Sequence, residues 1–292
     1  MEREQIRISV RNLVEFILRS GDIDNRRASL DTMEAMQAGS RLHRKIQKKM
    51  GSTYHAEVPL NIIIEEENYE LGIWGRADGI IIEETVTIDE IKGVYLSLDL
   101  LEEPVKVHLA QAKCYAYIYG IQNDLQKINV QMTYGNLDTG DLKYFSYEYS
   151  MQQLQEWFSD LILKYKKWAD FQYEWRKKRQ ASIKELAFPF PYREGQKELA
   201  AGVYRTIARK KNLFIQAPTG VGKTISTLYP AIKAVGEGLG DKIFYLTAKT
   251  VTANVAKETL GILCEKGYRA KSVQITAKEK LCPCEEVDCN PV

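Results

Sequence analysis

Residues Leu213-Phe-Ile-Gln-Ala-Pro-Thr-Gly-Val-Gly-Lys-Thr224 read as an apolar strand that runs into a glycine-rich turn and then into a helix. Gly220 and Gly222 allow the turn to point backbone amides inward. The helix N-terminus behind them adds its unpaired N–H groups and its dipole, which together favour a phosphate. Lys223 supplies a mobile positive charge and Thr224 a hydroxyl suited to Mg²⁺. Strand before and helix after are the context that a P-loop requires. The loop residues are Ala217, Pro218, Thr219, Gly220, Val221, Gly222, Lys223 and Thr224, with Ala217 in place of the usual first glycine. The expected ligand is a nucleoside triphosphate, taken here as ATP, with Mg²⁺.

Outward from the loop the pattern predicts a helix over 194–210, a strand over 212–216, a helix over 223–236, a strand over 242–247 and a helix over 251–266. Strands alternating with helices predict a parallel α/β sheet. Upstream, Phe188-Pro-Phe-Pro-Tyr192 excludes a helix and marks a domain boundary near residue 183, giving domains 1–183 and 184–292. An aromatic followed by Gln196, about 20 residues before the loop, can stack on adenine and read its edge. Thr247 to Thr250 ends a strand with hydroxyls and a lysine, suited to a phosphate backbone. Cys282, Cys284 and Cys289 fall within eight residues. In a reducing compartment such a cluster reads as metal or iron–sulfur ligation, and the spacing alone does not separate zinc from iron.

With these motifs in this order, residues 186–292 resemble the XPD/DinG family of iron–sulfur superfamily 2 DNA helicases. The resemblance implies a RecA-like P-loop ATPase domain and ATP-driven 5′→3′ translocation on single-stranded DNA. It also implies a [4Fe–4S] cluster that Cys282, Cys284 and Cys289 begin and that is incomplete in this chain. Cys264 is expected to be an ordinary buried cysteine. No Asp-Glu-Ala-His box precedes Val292, so the chain is expected to be the front part of a longer protein.

The first half carries a different chemistry. Strands are expected over 4–10, 60–64, 71–82, 86–91, 128–134 and 142–149, with helices over 10–20, 30–50, 105–119 and 151–180. If 71–82 and 86–91 form a hairpin with its turn at Glu83–Thr85, Asp78 faces Glu90 and Lys92 shares the side of Glu90. Two carboxylates at the end of an apolar face are costly unless something positive holds them. A divalent metal, Mg²⁺ or Mn²⁺, is the natural partner. Gln111 and Tyr115, four apart, share one helix face. With His43 in an earlier helix, this set resembles the RecB-like branch of the PD-(D/E)XK nucleases over residues 5–150. The resemblance implies a restriction-endonuclease-like fold. His43, Asp78 and Glu90 would be metal ligands, Lys92 catalytic, and Gln111 and Tyr115 organisers of the site. Cys114 alone cannot build a cluster.

Composition sets the remaining bounds. Net charge is +2, so DNA contact must come from local patches rather than a global basic field. Apolar residues make up 45% and charged residues 27%, which argues against disorder. No apolar run reaches a membrane-spanning length, and MEREQIRISV lacks a secretory apolar core. A cytoplasmic protein is expected. Arg176–Arg179 reads as a solvated helix end, and Trp157, Trp168 and Trp175 as packing residues. Together the two resemblances imply a bacterial DNA repair or processing enzyme acting on single-stranded DNA. The alternative is an inactive nuclease fold that serves as a single-strand-binding platform.

Overall fold

The structure, a computed structural model, describes residues 3–20, 32–218, 220–248, 250–277, 280 and 281. It is a mixed α/β protein of two compact units, which divide between Phe171 and Gln172. No helix among the described residues is long and apolar enough to cross a membrane.

The first unit contains β1 (Glu4–Ser9), α1 (Val10–Ile17), α2 (Thr32–Gln47), β2 (Tyr54–Glu65), β3 (Tyr69–Ile81) and β4 (Thr87–Val94). A short 3-10 turn at Leu98–Leu100 leads to α3 (Lys106–Gln122), β5 (Lys127–Asn136), β6 (Leu142–Ser150) and α4 (Met151–Glu185). The elements expected here all form, with shifted ends. α1 starts where Ser9 caps it, its hydroxyl accepting the Asn12 N–H at 3.1 Å. α4 continues to Glu185 rather than ending at residue 180. Parallel β4 and β5 are joined through α3, as a crossover between parallel strands requires.

The six strands form one sheet in the order β1-β3-β4-β5-β6, with β2 on β3. β2 runs antiparallel along almost all of β3, from Tyr54↔Ile81 to Glu65↔Glu70. The other edge of β3 is shared. β1 pairs with it in parallel up to Ser9↔Trp74. β4 pairs with it antiparallel only from Gly79↔Asp89 to Ile81↔Thr87. Residues 75–78 therefore have no ladder partner on that edge, because β1 has ended and β4 has diverged to follow β5. Ile73, Ala77, Ile80, Ile88 and Ile91 around this opening are buried.

The second unit holds the end of α4 with α5 (Gln196–Ala208), α6 (Lys223–Gly236) and α7 (Thr250–Glu265). Its core joins Ile183 and Leu186 to Ile225, Ile232, Val235 and Leu263. Lys233 Nζ donates to the carbonyls of Ile183 at 2.8 Å, Lys184 at 3.3 Å and Leu186 at 3.4 Å. A cation on those orphan carbonyls closes the C-terminal end of α4 and complements its dipole.

Three expectations are corrected in this unit. Residues 212–216 and 242–247 are not strands: neither pairs into a ladder among the described residues. A strand exists only through a hydrogen-bonded neighbour, and here the apolar side chains stay outside, with Phe214 95% and Leu246 89% exposed. Cys264 is exposed, not buried, because Leu263 takes the inward position on α7 and the next residue turns away by about 100°. Arg179 is not a solvated helix end. Its side chain is 16% exposed beside Asp241, and it donates to the Asp241 carbonyl at 3.1 Å.

Candidate functional site

The opening on β3 is where the first set of candidate residues gathers. The β3–β4 ladder keeps the register expected from the sequence and ends at Gly79↔Asp89, one residue short of Asp78 and Glu90. Asp78 Oδ2 accepts the N–H of Ile91 at 2.8 Å, a side-chain bond where the ladder has stopped. Tyr115 on α3 fills the opening from above, and its hydroxyl accepts the N–H of Arg76 at 3.4 Å. The unpaired backbone on β3 is thus partly satisfied by side chains of the site itself.

Glu90 is fully buried, and Lys92 Nζ donates to its Oε1 at 2.7 Å. Lys92 Nζ also donates to Gln111 Oε1 at 3.4 Å, and the Gln111 amide approaches the Tyr115 hydroxyl at 3.5 Å. The four residues form one chain from β4 to α3. Burial, then the nearby Asp78 carboxylate, push the Glu90 acid up to about 8, while Lys92 pulls it back. The second oxygen, Oε2, is buried and has no hydrogen-bond partner among the described residues. A buried carboxylate oxygen without a partner is costly and fits a divalent cation as its missing neighbour.

His43 arrives from α2, with Nδ1 3.4 Å from Asp78 Oδ1. One helical turn on, Gln47 donates to the Asp78 carbonyl at 3.0 Å and to Glu57 Oε1 at 3.1 Å. The ligand atoms of His43, Glu57 and Asp78 lie within 4.8 Å of one another, so these three could hold a metal ion. A set of carboxylate oxygens with one imidazole suits Mg²⁺ or Mn²⁺.

Sequence reasoning missed three residues here. Glu57 lies on β2, between the paired positions Ala56↔Gly79 and Val58↔Ala77, and so stands opposite Asp78. Extending the hairpin register back through the turn at 66–68 would have found it. Asp89 is buried on the other side of β4, where Tyr54, Gln131 and Thr133 donate to it at 3.0, 3.2 and 2.5 Å. His108 lies on α3 one turn before Gln111, its Nδ1 3.0 Å from the Tyr134 hydroxyl. That hydroxyl also accepts the Val105 N–H at 3.0 Å, so Tyr134 ties His108 to the start of α3. Burial first, then the charges of Lys92 and Arg11, lower the His108 pKa to about 4.

The second set lies at the start of α6. Gly220 and Gly222 take φ of 86° and 79°, the left-handed region that the loop needs glycine for. Lys223 Nζ folds back on its own loop, donating to the carbonyls of Ala217 at 3.0 Å and Pro218 at 2.8 Å. Thr224 Oγ1 lies 3.5 Å from the Tyr245 hydroxyl. Gln196 is buried: its Oε1 accepts the Arg193 N–H at 3.0 Å and its Nε2 donates to the Val221 carbonyl at 3.1 Å. The Arg193 guanidinium donates to the Gly220 carbonyl. Gln196 therefore braces the loop, and reading the adenine edge in two bonds would require these contacts to open. Thr219, Cys282, Cys284 and Cys289 lie outside the described residues.

No protein-family model matches the chain. A stretch of 51 residues, 17% of this chain, is 51% identical to the probable ATP-dependent helicase MJ0942 of Methanocaldococcus jannaschii. That stretch spans 8% of the helicase's length. Among solved structures, one described as the crystal structure of SSO0001 matches 56% of this chain and 78% of its own, at 20% identity and a TM-score of 0.36. A likeness that low carries no functional argument.

Proposed function

We propose that the first unit is a metal-dependent DNA nuclease of the PD-(D/E)XK, RecB-like kind. The observation that carries the proposal is the chain Glu90–Lys92–Gln111–Tyr115, set beside Asp78 and His43. His43, Asp78 and Glu90 are the ligands the reading requires. A cation held there, when bound, polarises a phosphodiester and lowers the pKa of an attacking water. Lys92 places a positive charge beside the reacting phosphate. Gln111 holds that lysine, Tyr115 backs Gln111, and both organise the site from α3. The substrate is single-stranded DNA or DNA with a single-stranded end.

We infer further that the second unit binds ATP and Mg²⁺ through residues 217–224 and is of the XPD/DinG helicase type, working 5′→3′. The helicase-named relative supports an ATP-dependent, DNA-acting reading, and the finer assignment rests on the motifs. The paired activities suit DNA repair or processing. Cys282, Cys284 and Cys289 would contribute to a [4Fe–4S] site, a reading that rests on the XPD/DinG resemblance, since their spacing suits zinc as well as iron. Anaerobic iron and sulfide analysis with visible absorption tests it, and zinc in place of iron overturns it.

The decisive experiment incubates the 292-residue chain with Mn²⁺ or Mg²⁺ and end-labelled single-stranded DNA. Metal-dependent cleavage is expected. Binding without cleavage at any metal concentration would overturn the nuclease assignment in favour of a passive strand-binding platform.

A further inference from the structure

Glu57 is a non-glycine residue at φ 57°, inside a strand. That backbone region is disfavoured for a side chain with a Cβ, and a carboxylate of Glu's length has no local turn to stabilise it there. A glycine or asparagine would adopt it more readily. The pairs on either side, Ala56↔Gly79 and Val58↔Ala77, keep the same register, so the distortion is confined to this one residue. Its effect is to hold the Glu57 carboxylate against His43 and Asp78, with ligand atoms within 4.8 Å of one another. Strained residues of this kind gather at functional sites, where the surrounding structure overdetermines them.

The charges around it point the same way. Glu57 and Asp78 are acids at opposed positions on neighbouring strands, and like charges there repel. Glu90, one residue past the end of the β3–β4 ladder, adds a third acid near Asp78, buried, with Oε2 unpartnered. Three carboxylates, from β2, β3 and β4, thus gather at this break in the sheet. Arg76 supplies part of the missing positive charge, its Nε 2.6 Å from Glu57 Oε2, but its side chain is 67% exposed and free to swing away. Gln47 anchors Glu57 Oε1 and the Asp78 carbonyl at once, so α2 presents both acids together with His43.

Resting on the nuclease reading, the geometry points to Glu57 as a further metal ligand: His43, Glu57 and Asp78 form a divalent-cation position, and Arg76 covers it when the cation is absent. Glu57 is then a determinant of metal affinity, and Arg76 the cation's competitor. A residue kept merely to pair with Arg76 would show neither property.

The test is Mn²⁺ binding to the full chain without DNA, followed by the loss of free-Mn²⁺ electron paramagnetic resonance signal. Glu57→Gln keeps the side-chain length and an acceptor for Gln47, and is expected to weaken Mn²⁺ binding tenfold or more. Arg76→Ala is expected to leave it as tight or tighter. Glu57→Gly relieves the backbone, so it provides a folded second variant with the same loss. Unchanged Mn²⁺ affinity in both Glu57 variants, or a loss in Arg76→Ala equal to theirs, would overturn the inference. Because this readout needs no DNA, it separates from the nuclease reading. Wild-type cleavage with an Mn²⁺ affinity indifferent to Glu57 sinks the ligand role alone, and Glu57-dependent Mn²⁺ binding without cleavage sinks the nuclease alone.

Discussion

Asp78 Oδ2 accepts the backbone N–H of Ile91 at 2.8 Å, so an acid of one strand takes over where the ladder to the next strand ends. That bond aims the carboxylate into the opening on β3, and its other oxygen, Oδ1, lies 3.4 Å from His43. A site at a break in a sheet has a practical consequence. Several of its backbone groups are held by side chains of the site, so activity and stability must each be measured for a substitution there.

Lys92→Ala should reduce DNA cleavage by about 100-fold to 1,000-fold, the usual loss on removing a charge aimed at a transition state. The circular dichroism spectrum should be unchanged, because Lys92 lies at the rim of the core. Glu90→Gln should abolish cleavage while keeping the volume of a fully buried side chain. Initial rates on labelled single-stranded DNA measure both. Cleavage at wild-type rates in either variant would refute the assigned roles.

Gly79→Ala should destabilise the first unit. A Cβ at this position would meet Tyr54 Oη at 1.9 Å, and that hydroxyl donates to buried Asp89. The ring cannot withdraw without leaving Asp89 short of a donor. The cost should be about 1–3 kcal/mol, the range for overpacking a filled core. Urea unfolding of wild type and variant measures it, and a midpoint that does not move would show the ring to be freer than its contacts imply.

His108 predicts a pH dependence. Its pKa falls from an ordinary 6.5 to about 4 in the folded chain. Between those values the unfolded chain holds a proton that the folded chain does not, so stability rises with pH across that window and is lost on acidification through it. His108→Gln should flatten the slope of unfolding free energy against pH there by about one proton. Denaturant titrations at several pH values measure the slope. An identical acid limb in the variant would assign that limb to other groups.

Lys223→Ala should weaken binding of a fluorescent ATP analogue with Mg²⁺ by about tenfold or more, on the order of 1.4 kcal/mol. Lys223 sits on the carbonyls of its own loop and must transfer to the phosphates. Fluorescence titration reads the loss. Equal affinity in the variant would mean that the loop does not hold the triphosphate.

Local pattern made much of this legible in advance. Alternation across 71–82 and 86–91, with a three-residue turn, dictated the hairpin register, one residue past whose end Asp78 and Glu90 lie. Helical spacing put Gln111 and Tyr115 on one face, and glycine at 220 and 222 announced positive φ. These features depend on residues a few positions apart, where strand and helix periods act directly. What the pattern could not decide were contacts made across long stretches of chain. β1 reaches β3 from more than 60 residues away and stops at Trp74, which opens the edge that Tyr115 and Asp78 then occupy. His43 becomes a neighbour of Asp78 only because α2 packs Leu42 and Ile46 against Ile91 of β4, and Glu57 joins them through a backbone angle that no propensity favours. The reverse held at 212–216 and 242–247, whose composition is that of strands. A strand is completed by its neighbour, and among the described residues those two segments have none.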